Sequence, residues 1–228
     1  MLNIKCSEKT NPIRFEPPAP PNLTIRTIPV PEKMVQSPDS MVQRAVNYLN
    51  LVNSVGDYLI YIIPPDTSKV LFQGDDVDNP IWTSSWVIDS LIIGLTISTN
   101  QYYCKREVVF TGAKNDKIYT NSNVIIVNQE IDHGFVSIII FDIEPLNFAL
   151  WSSATEYDGS YTLSMSASEE LIEGTEIVIW EKPDGSVELI LWRDEWTQKF
   201  RAKWKPDGTG QWWTYDMNGQ TAATGIWN

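Results

Sequence analysis

The last third of the chain is divided by turn signals at nearly regular intervals. KPDGS (182–186) and KPDGT (205–209) repeat one hairpin signal, in which proline presets the first turn position and glycine supplies a left-handed residue. MNGQ (217–220) is an Asn-Gly hairpin signal, and DEWT (194–197) is a further turn. Reversals about every 11 residues predict a five-stranded antiparallel β-meander over residues 151–228.

The turns also predict which residues lie opposite each other, provided that each Pro-Asp-Gly forms a three-residue bulged loop. The predicted pairs place a large residue across from a small one: Trp204 with Gly210, Ala202 with Trp212, Trp212 with Gly225, and Gly210 with Trp227. Neighbouring residues of a strand point to opposite faces, so Trp212 is predicted to face the core and Trp213 to face outward. A four-residue loop would exchange these two roles.

The outward face around Trp213 is the candidate partner or ligand surface. It is predicted to carry aromatic and basic side chains together: Trp180, Trp192, Trp213, Tyr215, Lys199, Arg201, Lys203 and Lys205. Aromatic rings beside basic groups favour cation-π contacts. The alternative is a solvated row of charges that pairs with neighbouring carboxylates. The first hairpin of the meander is apolar on both sides, so a cover is expected from the rest of the chain or from another subunit.

Residues 57–150 change repeatedly between β-branched or aromatic segments and polar turns. The segments with strand character are DYLIYII, KVLFQ, SWVIDSLIIGLTIS, YYCKREVVFTG, KIYTNSNVIIVNQ and GFVSIIIFDI. Six or so such strands predict an antiparallel β-sandwich domain. The chain as a whole is therefore predicted to be all-β, a sandwich followed by the meander.

Residues 1–37 are predicted to form an extended Pro-rich arm, because eight of the 14 prolines fall within the first 38 residues. Phe15 and Ile25 are among the apolar residues of this arm, which favour burial against a surface, either of the same chain or of a neighbouring subunit. Residues 38–56 are predicted to form the one helix, with Ser37 as its cap and Gly56 at its end.

Several classes of function lack support in the sequence. A net charge of -12 argues against a nucleic-acid partner, and no apolar run reaches the length of about 18 residues that spans a membrane. No motif predicts an enzyme, a cofactor or a metal. His133 is interpreted as a loop histidine rather than an acid-base group. The segment GDDVDNP, with Asp75, Asp76, Asp78 and Asn79, is interpreted as a solvated turn, with calcium binding as the alternative.

These features favour a non-enzymatic structural component of a multi-subunit assembly, such as a capsid-associated or tail protein of a phage or virus. Its partners would be other protein subunits, including copies of itself, bound through the arm and the apolar sheet faces. We expect it in the virion, in the cytoplasm of the producing cell before assembly, or outside the cell if a signal peptide has been removed. The alternative is a carbohydrate-binding or adhesion module, because seven of the ten tryptophans follow residue 179.

Overall fold

A computed structural model describes residues 19–73, 79–132, 134–168, 172 and 174–228. Some residues discussed above lie outside these ranges: Phe15, Asp75, Asp76, Asp78 and His133. The predictions made for them stay predictions.

The described chain is mostly β, with 13 antiparallel strands in one sheet whose strand order follows the sequence. The strands are β1 (Leu71–Gln73), β2 (Ile81–Ile88), β3 (Leu91–Thr99), β4 (Tyr103–Lys114), β5 (Lys117–Glu130), β6 (Val136–Ile143), β7 (Leu146–Thr155), β8 (Tyr161–Ala167), β9 (Glu176–Glu181), β10 (Val187–Trp192), β11 (Gln198–Trp204), β12 (Gly210–Tyr215) and β13 (Thr221–Trp227). A short helix α1 (Glu32–Val35) precedes α2 (Ser40–Asn53), which continues through a 3-10 turn (Ser54–Tyr58) into α3 (Leu59–Ile62). The last three segments form one helix of 23 residues.

The predicted division into a sandwich and a meander is not confirmed. The sheet continues without interruption from β1 to β13, and residues 150 and 151, where the division was placed, lie within β7. That strand pairs with β6 on one side and with β8 on the other. Alternating strands joined by short turns suit both architectures, and the two differ only in long-range pairing, which local patterns do not encode.

The helix is longer than predicted and begins with a different cap. Asp39, not Ser37, accepts the N–H of Met41, at 2.7 Å. Gly56 does not end the helix, because the segment DYLIYII, predicted as a strand, continues it. The composition of this segment suits a strand. However, the buried residues within it and just before it recur at the three- to four-residue spacing of a helix: Val55, Tyr58, Tyr61 and Ile62.

The segment SWVIDSLIIGLTIS also differs from its prediction as a single run. It supplies the end of β2 and β3 as far as Ser98, and the chain reverses at Asp89, whose φ is +53°. Aspartate tolerates this left-handed conformation better than most residues, which permits a tight hairpin inside an apolar segment.

The predicted register of the C-terminal strands is confirmed. The structure pairs Trp204 with Gly210, Ala202 with Trp212, Trp212 with Gly225, and Gly210 with Trp227. The Trp212 ring covers Gly225 so closely that a Cβ added to this glycine would lie 2.6 Å from the ring. Trp212 therefore packs against the core from the inner face of the sheet, and Trp213 points to the outer face.

The long helix covers the inner face, and its contacts follow the strand order. Tyr48 packs near Phe200 on β11, the indole N–H of Trp151 on β7 donates to the carbonyl of Val52 at 3.1 Å, and Tyr61 packs against Phe110 on β4. The 13 residues from Tyr48 to Tyr61 span about 20 Å of helix, whereas β11 and β4 are about 34 Å apart along the sheet. The sheet therefore curls around the helix.

The described part of the arm also lies on its own chain. Arg106 on β4 donates to the carbonyl of Pro21, and Arg26 forms an ion pair with Glu181 on β9 at 2.5 Å. Ile28 is 1% exposed, and the Asn53 side chain both donates to its carbonyl and accepts its N–H, at 2.8 and 3.1 Å. Ile25 packs against the same core. The structure therefore supports packing of these arm residues on their own chain rather than on a neighbouring subunit.

A pair of glycine substitutions tests the tight packing under Trp212. Gly225→Ala should lower the free energy of unfolding by about 1–3 kcal/mol, because the new methyl group overlaps the ring. Gly56→Ala is the matched control: it has open space around its Cα, lies in the helix, and should be neutral or stabilising by up to about 1 kcal/mol. Urea unfolding of both variants measures the difference, and equal effects would contradict the predicted packing.

Candidate functional site

The outer face of β9–β12 brings the predicted site residues of the meander together. Trp180, Trp192, Lys199, Arg201, Lys203, Trp213 and Tyr215 are all partly exposed there, on alternate positions of adjacent strands. Ile25 does not belong to this surface, because it packs against the core on the inner face. The aromatic and basic residues thus share one face of the sheet, and Ile25 lies on the other.

A compact charge network lies at the centre of this surface. Glu188 on β10 accepts from Arg201 Nε at 2.6 Å and lies 3.0 Å from Lys203 Nζ. The guanidinium of Arg201 lies 5.4 Å from the Trp213 ring centre, a cation-π distance. Burial lowers the pKa of Arg201, but hydrogen bonding to Tyr215 and the charge of Glu188 outweigh this effect and raise it. Cation-π contact and carboxylate pairing, both considered from the sequence, therefore occur together.

Glu188, Lys203 and Trp213 of this network also line a groove of about 420 Å³, which we name the C-terminal groove. Its lining is Lys182, Ser186, Val187, Glu188, Lys203, Trp204, Lys205, Thr209, Gly210, Gln211, Trp213, Ile226, Trp227 and Asn228. The wall thus combines Trp213 and Ile226 with amines, a carboxylate and an amide. Such a mixture of apolar surface and converging polar groups is typical of a small-ligand site.

Three turns of similar geometry lie at the end of the sheet where the groove opens. In each turn an aspartate accepts from the hydroxyl two residues later: Asp158 from Ser160, Asp184 from Ser186, and Asp207 from Thr209, at 2.6, 2.6 and 2.8 Å. The turns also pack on one another, since Gly159 lies against Pro183 and Gly185 against Pro206, and the third turn packs on the arm through Gly208 and Pro31. The hydrogen bonds from these hydroxyls and from the backbone N–H groups of the same residues lower the pKa of each aspartate.

A second region of the outer face, over β5–β8, has a different character. Twelve paired outward positions of these strands carry no charged residue, and we name them the uncharged face: Ile126, Asn128, Ser137, Ile139, Phe141, Phe148, Leu150, Ser152, Ala154, Thr162, Ser164 and Ser166. Phe148 and Leu150 are 48% and 41% exposed. The Phe141 and Phe148 rings pack at 6.1 Å, and the Ser152 and Ser164 hydroxyls lie 2.9 Å apart.

Sequence reasoning did not identify the uncharged face. Instead it selected the hairpin of β9 and β10 as the apolar surface that needs a cover. In the structure the outward Val178 and Ile190 of that hairpin are only 9% and 5% exposed within the single chain. The hairpin therefore needs no second subunit, while Phe148 and Leu150 of the neighbouring region remain exposed.

Other chemistry is sparse in the part of the chain that the structure describes. No three His, Cys, Asp or Glu side chains of these residues come together in a way that could hold a metal. Burial raises the pKa of the Cys104 thiol, which lies in the core. None of the described helices combines the length and the apolar character needed to span a membrane.

Comparisons with known proteins give no relative from which a function could be transferred. No family model, no curated protein and no solved structure matches the chain. The two surfaces of the outer face therefore have to be interpreted from their own chemistry.

The turn aspartates predict a specific acid dependence of stability. Because the folded-state pKa of Asp184 and of Asp207 lies below the unfolded value, both carboxylates stabilise the fold fully above that value, about 3.9. This contribution is lost as the pH falls through the folded-state pKa. In the double variant Asp184→Asn, Asp207→Asn, the free energy of unfolding should fall less steeply below about pH 5 than in the wild type.

Urea unfolding at a series of pH values measures these slopes. The double variant Ser186→Ala, Thr209→Ala, which keeps the carboxylates and removes their hydroxyl donors, should also show a shallower acid dependence. Parallel curves for all three proteins would show that the turn hydrogen bonds do not contribute to acid sensitivity.

Proposed function

We propose that the chain is a non-enzymatic component of a multi-subunit assembly and that it docks through its uncharged face. The observation that carries this proposal is the absence of charge from twelve paired outward positions on four adjacent strands, in a chain with a net charge of -12. Exposed apolar area of this kind is costly in water and marks interaction surfaces. The exposed side chains of Phe148 and Leu150 are its most apolar part.

The partner that fits this face best is a second copy of the chain. Two acidic molecules repel each other over most of their surfaces, but they can approach where neither carries charge. The charged residues that border the uncharged face are the Lys105–Glu107 ion pair on β4, Glu130 at the end of β5, Asp142 on β6 and Glu176 on β9. Two such faces related by a two-fold axis would pack sheet against sheet at about 10 Å, as in β-sandwiches.

In this proposal the sheet, and not the described part of the arm, provides the docking surface. The sequence suggested that the arm would need a host surface, and residues 19–31 have one on their own chain, through Arg106, Glu181 and Asn53. The absence of recognisable catalytic motifs and of a basic field supports a structural role. A phage or virus particle, with the chain as a capsid-associated or tail component, is the setting that we propose on these sequence grounds.

Sedimentation velocity of the purified chain over a range of concentrations tests this proposal. The wild type should self-associate, and Leu150→Lys should weaken association at least about tenfold, because the lysine carries charge into the centre of the contact. Val87→Lys is the matched control: Val87 is 65% exposed, lies on β2 outside the uncharged face, and should leave association unchanged.

Circular dichroism and the thermal midpoint establish that both variants are folded. A wild type that stays monomeric at all concentrations would contradict the proposal. So would a folded Leu150→Lys variant that associates like the wild type.

A further inference from the structure

The C-terminal groove has the dimensions and the chemistry of a ligand site, and the uncharged face does not include it. Its volume of about 420 Å³ falls within the range of about 300–1,000 Å³ that small-molecule sites occupy. Trp213 and Ile226 line it on adjacent strands, and Ile226 is 71% exposed. The groove therefore offers a solvent-accessible apolar wall beside polar groups.

The charges of the groove argue for a neutral ligand. Three lysines line it, and each has a carboxylate close by: Lys203 lies 3.0 Å from Glu188, while Lys182 and Lys205 are near enough to Asp184 and Asp207 to lower the pKa of those aspartates. Each lysine thus has a carboxylate nearby, and one of these, Glu188, is shared with Arg201. These carboxylates would repel a polyanion where it would have to approach the lysines, whereas a neutral ligand meets no such repulsion.

The polar groups of the groove suit a ligand that carries many hydroxyls. Lysine amines donate hydrogen bonds, the Glu188 carboxylate accepts them, and the Gln211 amide can do both. Gln211 is held in place by the hydrogen bond from its Nε2 to Thr224 Oγ1 at 3.1 Å. Donors and acceptors that alternate along one wall match a sugar, whose hydroxyls both donate and accept.

We propose that the C-terminal groove binds a neutral saccharide, with one sugar ring against Trp213 and its hydroxyls bonded to Lys203, Glu188 and Gln211. The indole of Trp213 supplies an apolar surface for the C–H groups of a sugar ring. Its position is fixed by its place on β12 opposite Arg201 and by the cation-π contact with that residue. This inference does not depend on the assembly proposal, because the two use different residues of the outer face.

An array of neutral, sialylated and sulfated glycans, probed with the full chain, provides the first test. We expect binding to a subset of neutral glycans. Isothermal titration with the best-binding neutral oligosaccharide then compares variants. Trp213→Ala should lower affinity about tenfold or more, as for an aromatic residue at the centre of a contact, and Gln211→Ala should lower it several-fold.

Trp196→Ala is the matched control, because Trp196 is 87% exposed in the turn between β10 and β11 and does not line the groove. It should bind like the wild type. Gln211 is partly exposed and its side chain makes one hydrogen bond, so we expect Gln211→Ala to fold. This variant tests the inference if Trp213→Ala fails to fold.

Three results with the array and the groove variants would overturn the inference. They are an array without neutral glycan binding, binding confined to sialylated or sulfated glycans, and affinity unchanged in the folded Gln211→Ala and Trp213→Ala variants. Loss of binding in Trp196→Ala alone would place the sugar elsewhere and would overturn it as well.

Discussion

A single curled sheet has two faces, and the part of the chain that the structure describes covers only one of them. The cover consists of the described arm and the 23-residue helix, which both precede the sheet in the sequence. Asp39 joins the two layers at one end: one carboxylate oxygen caps the helix at Met41, and the other accepts the indole N–H of Trp212 on β12 at 2.9 Å. Without this cover, the inner face would expose a large apolar area to water.

Several polar residues on the inner side of the sheet are buried or partly buried because the arm and the helix cover them. Arg106 is 3% exposed, and burial lowers its pKa, but it donates to the Pro21 carbonyl and to Gln129. Trp151 is 1% exposed and has its N–H satisfied by the helix. Buried polar groups of this kind are stable only when bonded, so these contacts also fix where the arm and the helix lie.

The accuracy of sequence-based prediction varied with the range of the interactions. The register of β11–β13 was predictable because the turns fix it locally and because Trp212 and Trp227 each need a glycine opposite. The helical extension through Tyr58 and Tyr61 was not, since a short run of Ile and Tyr suits either element and tertiary packing decided between them. The single sheet was not predictable either, because the pairing of β7 with both neighbours is not visible in any local segment.

The same distinction applies to the candidate site. Alternation along β11 was enough to place Arg201 and Lys203 beside Trp213, because these contacts involve adjacent strands of known register. The uncharged face could not be predicted from the sequence, because it is defined by an absence of charge at positions that lie on four strands and are distant in sequence. Leu150, for example, becomes part of a surface only beside Ile139 and Ser166.

The two surfaces of the outer face can operate together for geometric reasons. The nearest strand of the groove, β10, is two strand spacings from β8, and β12, with Trp213, is four spacings away, which corresponds to about 10 and 19 Å along the sheet. A second copy packed on β5–β8 would therefore reach the edge of the groove without filling it. Val178 and Ile190, buried between the two regions, keep this part of the sheet closely packed. A saccharide bound at Trp213 would lie at the rim of the contact between two copies, where polar groups and solvent access are usual.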